Sequence, residues 1–380
     1  MVYIGLGLKM NKIRLSKSSV SQAEKDAVVK VLDKEYLGMG EEVKLFEEKI
    51  KKYLQTDMEV ICVNTGTSAL HLALLSLDLK KGDEVIVPSI TYVASFQAIS
   101  AIGAIPVSCD VEKNSIFIDI KDAEKRITSN TKVIMPVHYA SSSKGMDEVY
   151  KLAKKYNLRV VEDAAQAFGS KRDSKLVGTD GDIICFSFDG IKNITSGEGG
   201  AVLSKDNNII QRIKDARLLG VEKDTEKRYS AQRSWDFDVK HQGFRYHMSN
   251  IMAGIGIVQL ERIEDFKIKR QTIAKIYVEA FKTLEYISIL DFDYNEIIPH
   301  IFIIKAKDRD SLREYLLSRN IETGIHYKPN HLLSLYKSNY ALPISEKLYS
   351  EILTLPCHYD LSEEDQNFVI NAIFDFYKSK

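Results

Sequence analysis

The sequence predicts an α/β protein with a mostly parallel central sheet covered on both faces, followed by a smaller C-terminal α+β domain. Three observations predict it. Short apolar, β-branched runs alternate with amphipathic helical patterns from residue 59 to about residue 203, the spacing of strand–helix–strand units in parallel sheets. Two of those runs stop abruptly on polar or small residues, at the strand ends where open α/β sheets gather ligands. After Arg270 the pattern shifts to a shorter mixture of strands and helices. The length of 380 residues suits two domains at roughly 150 residues each, and the spans divide as 1–251 and 252–380.

In chain order, Ser21 stands three residues before Glu24, the spacing of a capping box, and predicts a helix running to Leu32. Residues 36–40 break it. Val43, Phe46, Ile50 and Tyr53 share one face of a second helix. Residues 59–63 read as a strand that ends in Asn64-Thr65-Gly66-Thr67-Ser68 and a helix start. Free N–H groups, a favourable dipole and two hydroxyls there suit a phosphate, although plain capping of the helix would look the same. Residues 82–88 form a turn and strand leading to Tyr92. Residues 105–110 and 131–137 are further strands, the latter followed by His138, which reads as a packed histidine. Residues 146–156 supply the crossover helix before Val160-Val161. Beyond Val202, residues 205–233 read as a helix and then a surface loop, and residues 251–263 as a helix whose Gly254 and Gly256 permit close packing. The C-terminal part reads as a strand at 301–306, a helix at 308–319, a strand at 321–327 facing the cleft, the run 353–358 and a final helix to Tyr377.

The chemistry concentrates between Val160 and Val202. Val160-Val161 stops on Glu162 and Asp163, so a strand delivers carboxylates to its C-terminal end. A second strand at 183–188 passes into Asp189-Gly190-Ile191-Lys192-Asn193 and then Ser196-Gly197-Glu198-Gly199-Gly200. Taken alone, a lysine in such a loop is most often solvated. Paired with an aspartate at a neighbouring strand end, it has the makings of a carbonyl-trapping amine opposite a carboxylate. Pyridoxal phosphate requires that pair: the lysine on its carbonyl carbon, the acid on its ring nitrogen. Lys192 and Asp163 fit the two roles.

EDAAQAFGS at 162–170 followed by FSFDGIKNITSGEGGAV at 186–202 resembles the DegT/DnrJ/EryC1/StrS family of nucleotide-sugar aminotransferases. The likeness runs from about Leu15 to the C-terminus, and FSFDGIKNIT is most similar to the branch that makes 4-amino-4-deoxyarabinose on a uridine nucleotide. The resemblance implies a fold-type-I pyridoxal-phosphate enzyme, like aspartate aminotransferase, with Lys192 and Asp163 catalytic. It implies that Gly66, Thr67, Ser68 and Ser187 meet the cofactor phosphate, that Tyr92 stacks on the pyridine ring, and that Gln166 orients the ring 3-hydroxyl. Many members carry Gly-Tyr-Asn-Tyr-Arg where this chain has Gly243-Phe244-Arg245-Tyr246-His247. Arg245 thus stands in for an asparagine that reaches the other subunit's phosphate, and its charge suits the cofactor phosphate or a substrate pyrophosphate. His326 and Tyr327 are implied near the sugar. Glutamate as amino donor, a nucleotide-linked keto sugar aminated at C4 rather than C3, glycan biosynthesis and a homodimer with shared sites complete the expectation. Competing roles on this fold are sugar dehydration, where the known enzyme has histidine at the lysine position, amino-acid desulfuration or decarboxylation, and ligand sensing without turnover.

Composition narrows the partners. Lys and Arg total 53, as do Asp and Glu, which removes a global electrostatic argument for nucleic acid or an anionic membrane. Cys62, Cys109, Cys185 and Cys357 lie far apart, three of them in strand-like runs, so buried thiols are expected rather than a disulfide framework or a metal site. Gly5-Leu6-Gly7 lacks the third glycine and helix of a dinucleotide fingerprint. The N-terminal apolar patch precedes its charges, unlike a secretory signal, so a cytoplasmic protein is expected, with Met10 a candidate start.

Overall fold

The computed structural model describes residues 12–379; Gly5-Leu6-Gly7 and Met10 lie outside them. Helices α1 (Gln22–Asp33) and α2 (Glu41–Leu54) come first. Ser21 and Glu24 form the expected capping box at α1, and α2 starts two residues before the apolar face marked by Val43. Then strands β1 (Glu59–Val63), β2 (Glu84–Pro88), β3 (Ile105–Cys109), β4 (Thr131–Ile134) and β5 (Arg159–Asp163) alternate with α3 (Gly66–Leu75), α4 (Ala94–Ala101), α5 (Ile120–Lys125) and α6 (Met146–Tyr156). A small hairpin, β6 (Lys171–Arg172) and β7 (Lys175–Leu176), precedes β8 (Ile183–Ser187) and β9 (Gly200–Ser204).

The seven strands of the central sheet lie in the order β1-β9-β8-β5-β4-β2-β3. All neighbours from β8 to β3 pair in parallel, while β9 runs antiparallel to both β8 and β1. The C-terminal ends of β1, β2, β5 and β8 therefore share one edge. Alternation along each strand explains why both faces are covered. Val60, Cys62, Ile184 and Phe186 enter one core with α2, and Ile61, Val63, Ile183 and Cys185 enter another with α3 and α4. All four cysteines are free and buried.

Helices α7 (Asn207–Ala216), α8 (Asp224–Tyr229), α9 (Asn250–Glu261) and α10 (Ile263–Phe281) lead out of the sheet. Gly256 explains the close packing of α9: a Cβ there would lie 2.6 Å from the Phe46 ring of α2. The smaller sheet, β10 (Ile287–Ile289), β11 (Phe302–Ala306) and β12 (Ile352–Leu355), is antiparallel. It packs with α10, α11 (Arg309–Ser318) and α13 (Glu363–Lys378) around Tyr277, Phe302, Leu353 and Ile373, and α12 (Pro343–Glu351) covers β11. Ile13 joins that C-terminal core.

One expected strand is absent. Residues 321–327 make single bridges, Ile321 to Ile13 and Gly324 to Thr354. Each bridge has a different partner, so no ladder of consecutive rungs forms. No helix among the described residues is long and apolar enough to cross a membrane.

Candidate active site

Four parallel strands deliver the site. β5 ends on Asp163, which is 5% exposed. Its Oδ2 accepts from Ser95 Oγ at 2.7 Å and its Oδ1 from the Ala165 N–H at 3.2 Å. The preceding carboxylate does not join it. Strand alternation turns Glu162 to the opposite face, where its Oε2 lies 2.8 Å from His138 Nε2 and Tyr150 donates to its Oε1 at 2.5 Å. His138 is packed, as its position predicted.

β8 ends on Ser187, and the loop beyond it carries Lys192. The loop is tied at its base: Asn193 Nδ2 donates to the carbonyls of Gln166, Phe168 and Ile298 at 3.0–3.2 Å. Lys192 is half-buried. Burial drives its amine pKa down from the ordinary lysine value, opposed by the negative charges of Asp189 and Asp163. The field of Asp163 thus reaches Lys192, and it also reaches the Tyr327 hydroxyl, which burial pushes up together with Asp163, Tyr92 and Asp189.

β1 ends at the N-terminus of α3, where Thr65 caps the helix by accepting from the Ser68 N–H at 2.9 Å. Ser68 is committed to that cap: its Oγ accepts from the Thr65 N–H at 3.1 Å and donates toward Asn64 Oδ1 and Thr65 O, each at 2.8 Å. The N–H groups of Gly66 and Thr67 and the exposed Thr67 hydroxyl have no partner among the described residues. A Cβ on Gly66 would lie 2.6 Å from Ser187 Cβ, so glycine is what lets these two strand ends meet.

The aromatic wall comes from β2 and the C-terminal part. The Tyr92 and Tyr327 rings lie 5.7 Å apart between centroids. Gln166 donates from Nε2 to Tyr327 Oη at 3.2 Å and accepts the Ala140 N–H at 2.8 Å, so its amide is oriented without any titration. His326 Nδ1 lies 2.8 Å from Thr354 Oγ1, and burial with the Lys192 charge holds its pKa down at about 4. Arg245 is the residue the structure does not bring in. It is exposed, with no side-chain hydrogen bond or ion pair among the described residues. Its segment is joined to the end of β1 through the bridge of Val63 with His247 and the Asn64 N–H to Tyr246 O bond at 2.7 Å.

Two participants escaped the sequence reading. Ser95 lies near the start of α4 and binds the strand-end carboxylate of β5; His300 Nε2 lies 3.4 Å from Lys192 Nζ. Neither sits in a recognisable motif. The set present fits pyridoxal phosphate: a glycine-lined cradle with free N–H groups, an amine, a carboxylate and an aromatic flank. No group of three or more metal-binding side chains occurs among the described residues.

Comparison with known proteins agrees with this geometry. The DegT/DnrJ/EryC1/StrS aminotransferase family matches residues 18–374. GDP-perosamine synthase of Escherichia coli O157:H7 is 36% identical over 375 residues, covering 98% of this chain and all of that protein. The putative sugar aminotransferase Spr1654 of Streptococcus pneumoniae, solved in PMP and PLP forms, superposes with a TM-score of 0.89 at 29% identity, covering 97% of this chain and 98% of Spr1654 in its PMP form. PseC of Helicobacter pylori, an aminotransferase of pseudoaminic acid biosynthesis, gives 0.90 at 28% identity, with 97% and 100% covered.

Proposed function

This chain belongs to the DegT/DnrJ/EryC1/StrS aminotransferase family, and on that footing we propose that it transfers an amino group to a keto carbon of a nucleotide-linked sugar. Its cofactor is pyridoxal phosphate, which supplies, when bound, the electron sink for the pair released at the substrate carbon. The observation that carries the reading is that the amine of Lys192 and the carboxylate of Asp163 arise from neighbouring strands and share one electrostatic field.

The residues divide the work. Lys192 would hold the cofactor, and its amine would move the proton at the substrate carbon. Asp163, fixed by Ser95, would keep the ring nitrogen protonated. The free N–H groups of Gly66 and Thr67 and the Ser187 hydroxyl would hold the phosphate, Tyr92 would flank the ring, and Gln166 would orient the 3-hydroxyl. His326 and Tyr327 line the sugar side.

The nucleotide-linked substrate is supported by the name of the E. coli relative, GDP-perosamine synthase. Amination at C4 is supported by the likeness of FSFDGIKNIT to the 4-amino-4-deoxyarabinose branch, and glutamate is the donor that the resemblance favours. We assign the product to surface glycan synthesis and the enzyme to the cytoplasm, as a homodimer in which Arg245 serves the partner's site. The test incubates the purified chain with glutamate and a panel of 3-keto and 4-keto sugar nucleotides, following mass and then the aminated carbon by NMR. Conversion of a 4-keto sugar is expected; conversion of 3-keto substrates alone would overturn the regiochemistry, and conversion of none the substrate class.

A further inference from the structure

We propose that His300 is a positioning residue for Lys192: its Nε2–H donates to Lys192 Nζ and holds that amine as the free base, aimed for reaction. The proposal deepens the reading of Lys192 as the reactive amine and rests on it.

The backbone of His300 is anchored on both sides, and the residue is buried. His300 is 5% exposed. Its main-chain N–H donates to Ser141 Oγ at 3.0 Å, and Ser141 Oγ in turn donates to the Gln166 carbonyl at 2.5 Å. Its carbonyl accepts from Arg270 Nη1 at 3.2 Å, and that nitrogen also binds the Pro299 and Cys357 carbonyls. Lys192 Nζ lies 3.4 Å from Nε2.

The tautomer follows from what Nδ1 lacks. It is buried with no hydrogen-bond partner among the described residues. A neutral imidazole carries one ring proton. Placed on Nδ1, that proton would be an orphaned buried donor; placed on Nε2, it leaves only a bare lone pair at Nδ1, the less severe defect. With the proton on Nε2, the acceptor within reach is the lone pair of Lys192 Nζ, which exists only in the unprotonated amine.

The charges around the pair agree. Burial is the largest influence on both groups and disfavours charge on each. Against the amine stand Asp189 of its own loop and Asp163 of β5, which favour its proton. Against the imidazole stand Lys192, Arg270 of α10 and His326, all disfavouring a cation there. The outcome is a neutral donor beside an amine on which burial disfavours the proton.

The experiment has two arms on the full chain freed of carbonyl cofactor with hydroxylamine. In the first, selective 15N-histidine NMR of the unaltered sequence should show His300 as a neutral Nε2–H imidazole across neutral pH; an Nδ1–H tautomer or a cationic ring would overturn the proposal. In the second, acetic anhydride labelling against pH, read at Lys192 by mass spectrometry, compares the unaltered chain with His300→Phe and His300→Gln. The phenylalanine variant should raise the Lys192 labelling midpoint by about one unit; after reconstitution with pyridoxal phosphate the acid limb of kcat should move alongside, with KM changing less. Glutamine, which retains an amide donor, should restore most of the shift. An unmoved midpoint in a folded His300→Phe protein would also overturn it. Uptake of pyridoxal phosphate, followed by visible absorbance, tests the cofactor reading separately, since Lys192 labelling is readable without it.

Discussion

At the scale of single residues, the site joins two groups whose ordinary chemistry is unremarked on a protein surface. Asp163 gains its role from burial beside Ser95 and from a field that extends to Lys192. Asp163→Asn retains size and one acceptor but removes the countercharge, so single-turnover proton abstraction should slow by on the order of 100-fold or more. Stopped-flow absorbance measures it, and an unchanged rate would remove Asp163 from the mechanism. Asp163 drew notice in the sequence as a carboxylate at a strand end before small residues, and Lys192 as an amine between a strand and a glycine-rich turn. Glu162 reaches the same strand end in sequence, and strand alternation sends it to His138 and Tyr150 instead. His300 was illegible, because a contact 108 residues from Lys192 along the chain leaves no local spacing to read.

At the scale of elements, the strand–helix joints hold the geometry. Gly66→Ala would thrust a methyl group against Ser187, 2.6 Å from its Cβ, and separate the β1 and β8 ends that meet there. Cofactor affinity should fall tenfold or more, about 1.4 kcal/mol, measurable by equilibrium titration; retained affinity would place the phosphate elsewhere. The start of α1 carries a second joint. Burial raises the Glu24 carboxyl, but bonds from Ser21 and Arg262 outweigh it and hold the pKa at about 2. Gln259 Nε2 also donates to Glu24 Oε1, at 2.6 Å, tying α1 to α9. A depressed carboxyl pKa stabilises the fold fully above the unfolded value of about 4.3 and progressively less as pH falls toward 2. Urea unfolding should show a shallower loss of stability over that window in Glu24→Gln; an identical slope would discount the linkage. Caps and apolar faces are local, so α1, α2 and α6 were readable from sequence. Residues 321–327 look like a strand because Ile, Thr and Tyr favour one, yet pairing is a tertiary outcome and their two bridges go to different partners.

At the scale of the whole molecule, the parallel sheet was foreseeable from alternating elements, whereas the antiparallel insertion of β9 between β1 and β8 was not, since strand order is invisible to local pattern. The C-terminal part reaches back over the cleft. Asn330 Nδ2 donates to the carbonyls of Ser89 and Thr91, next to Tyr92, at 3.1 and 2.8 Å, and Tyr327 meets Gln166. Arg245 faces outward in the single chain. If it completes a neighbouring subunit's site, mixing Lys192→Ala chains with Arg245→Ala chains should recover activity that neither variant has alone. Absence of recovery after verified subunit exchange would confine each site to one chain.

The amine and the acid meeting on one pyridine ring can be tested most directly by visible absorption of the purified chain with pyridoxal phosphate, before and after glutamate, beside Lys192→Ala. Expected is a bound-cofactor band near the visible edge in the unaltered chain that bleaches with glutamate, and no such lysine-dependent band in Lys192→Ala. An equal band with equal bleaching in the alanine variant would contradict the assignment of Lys192.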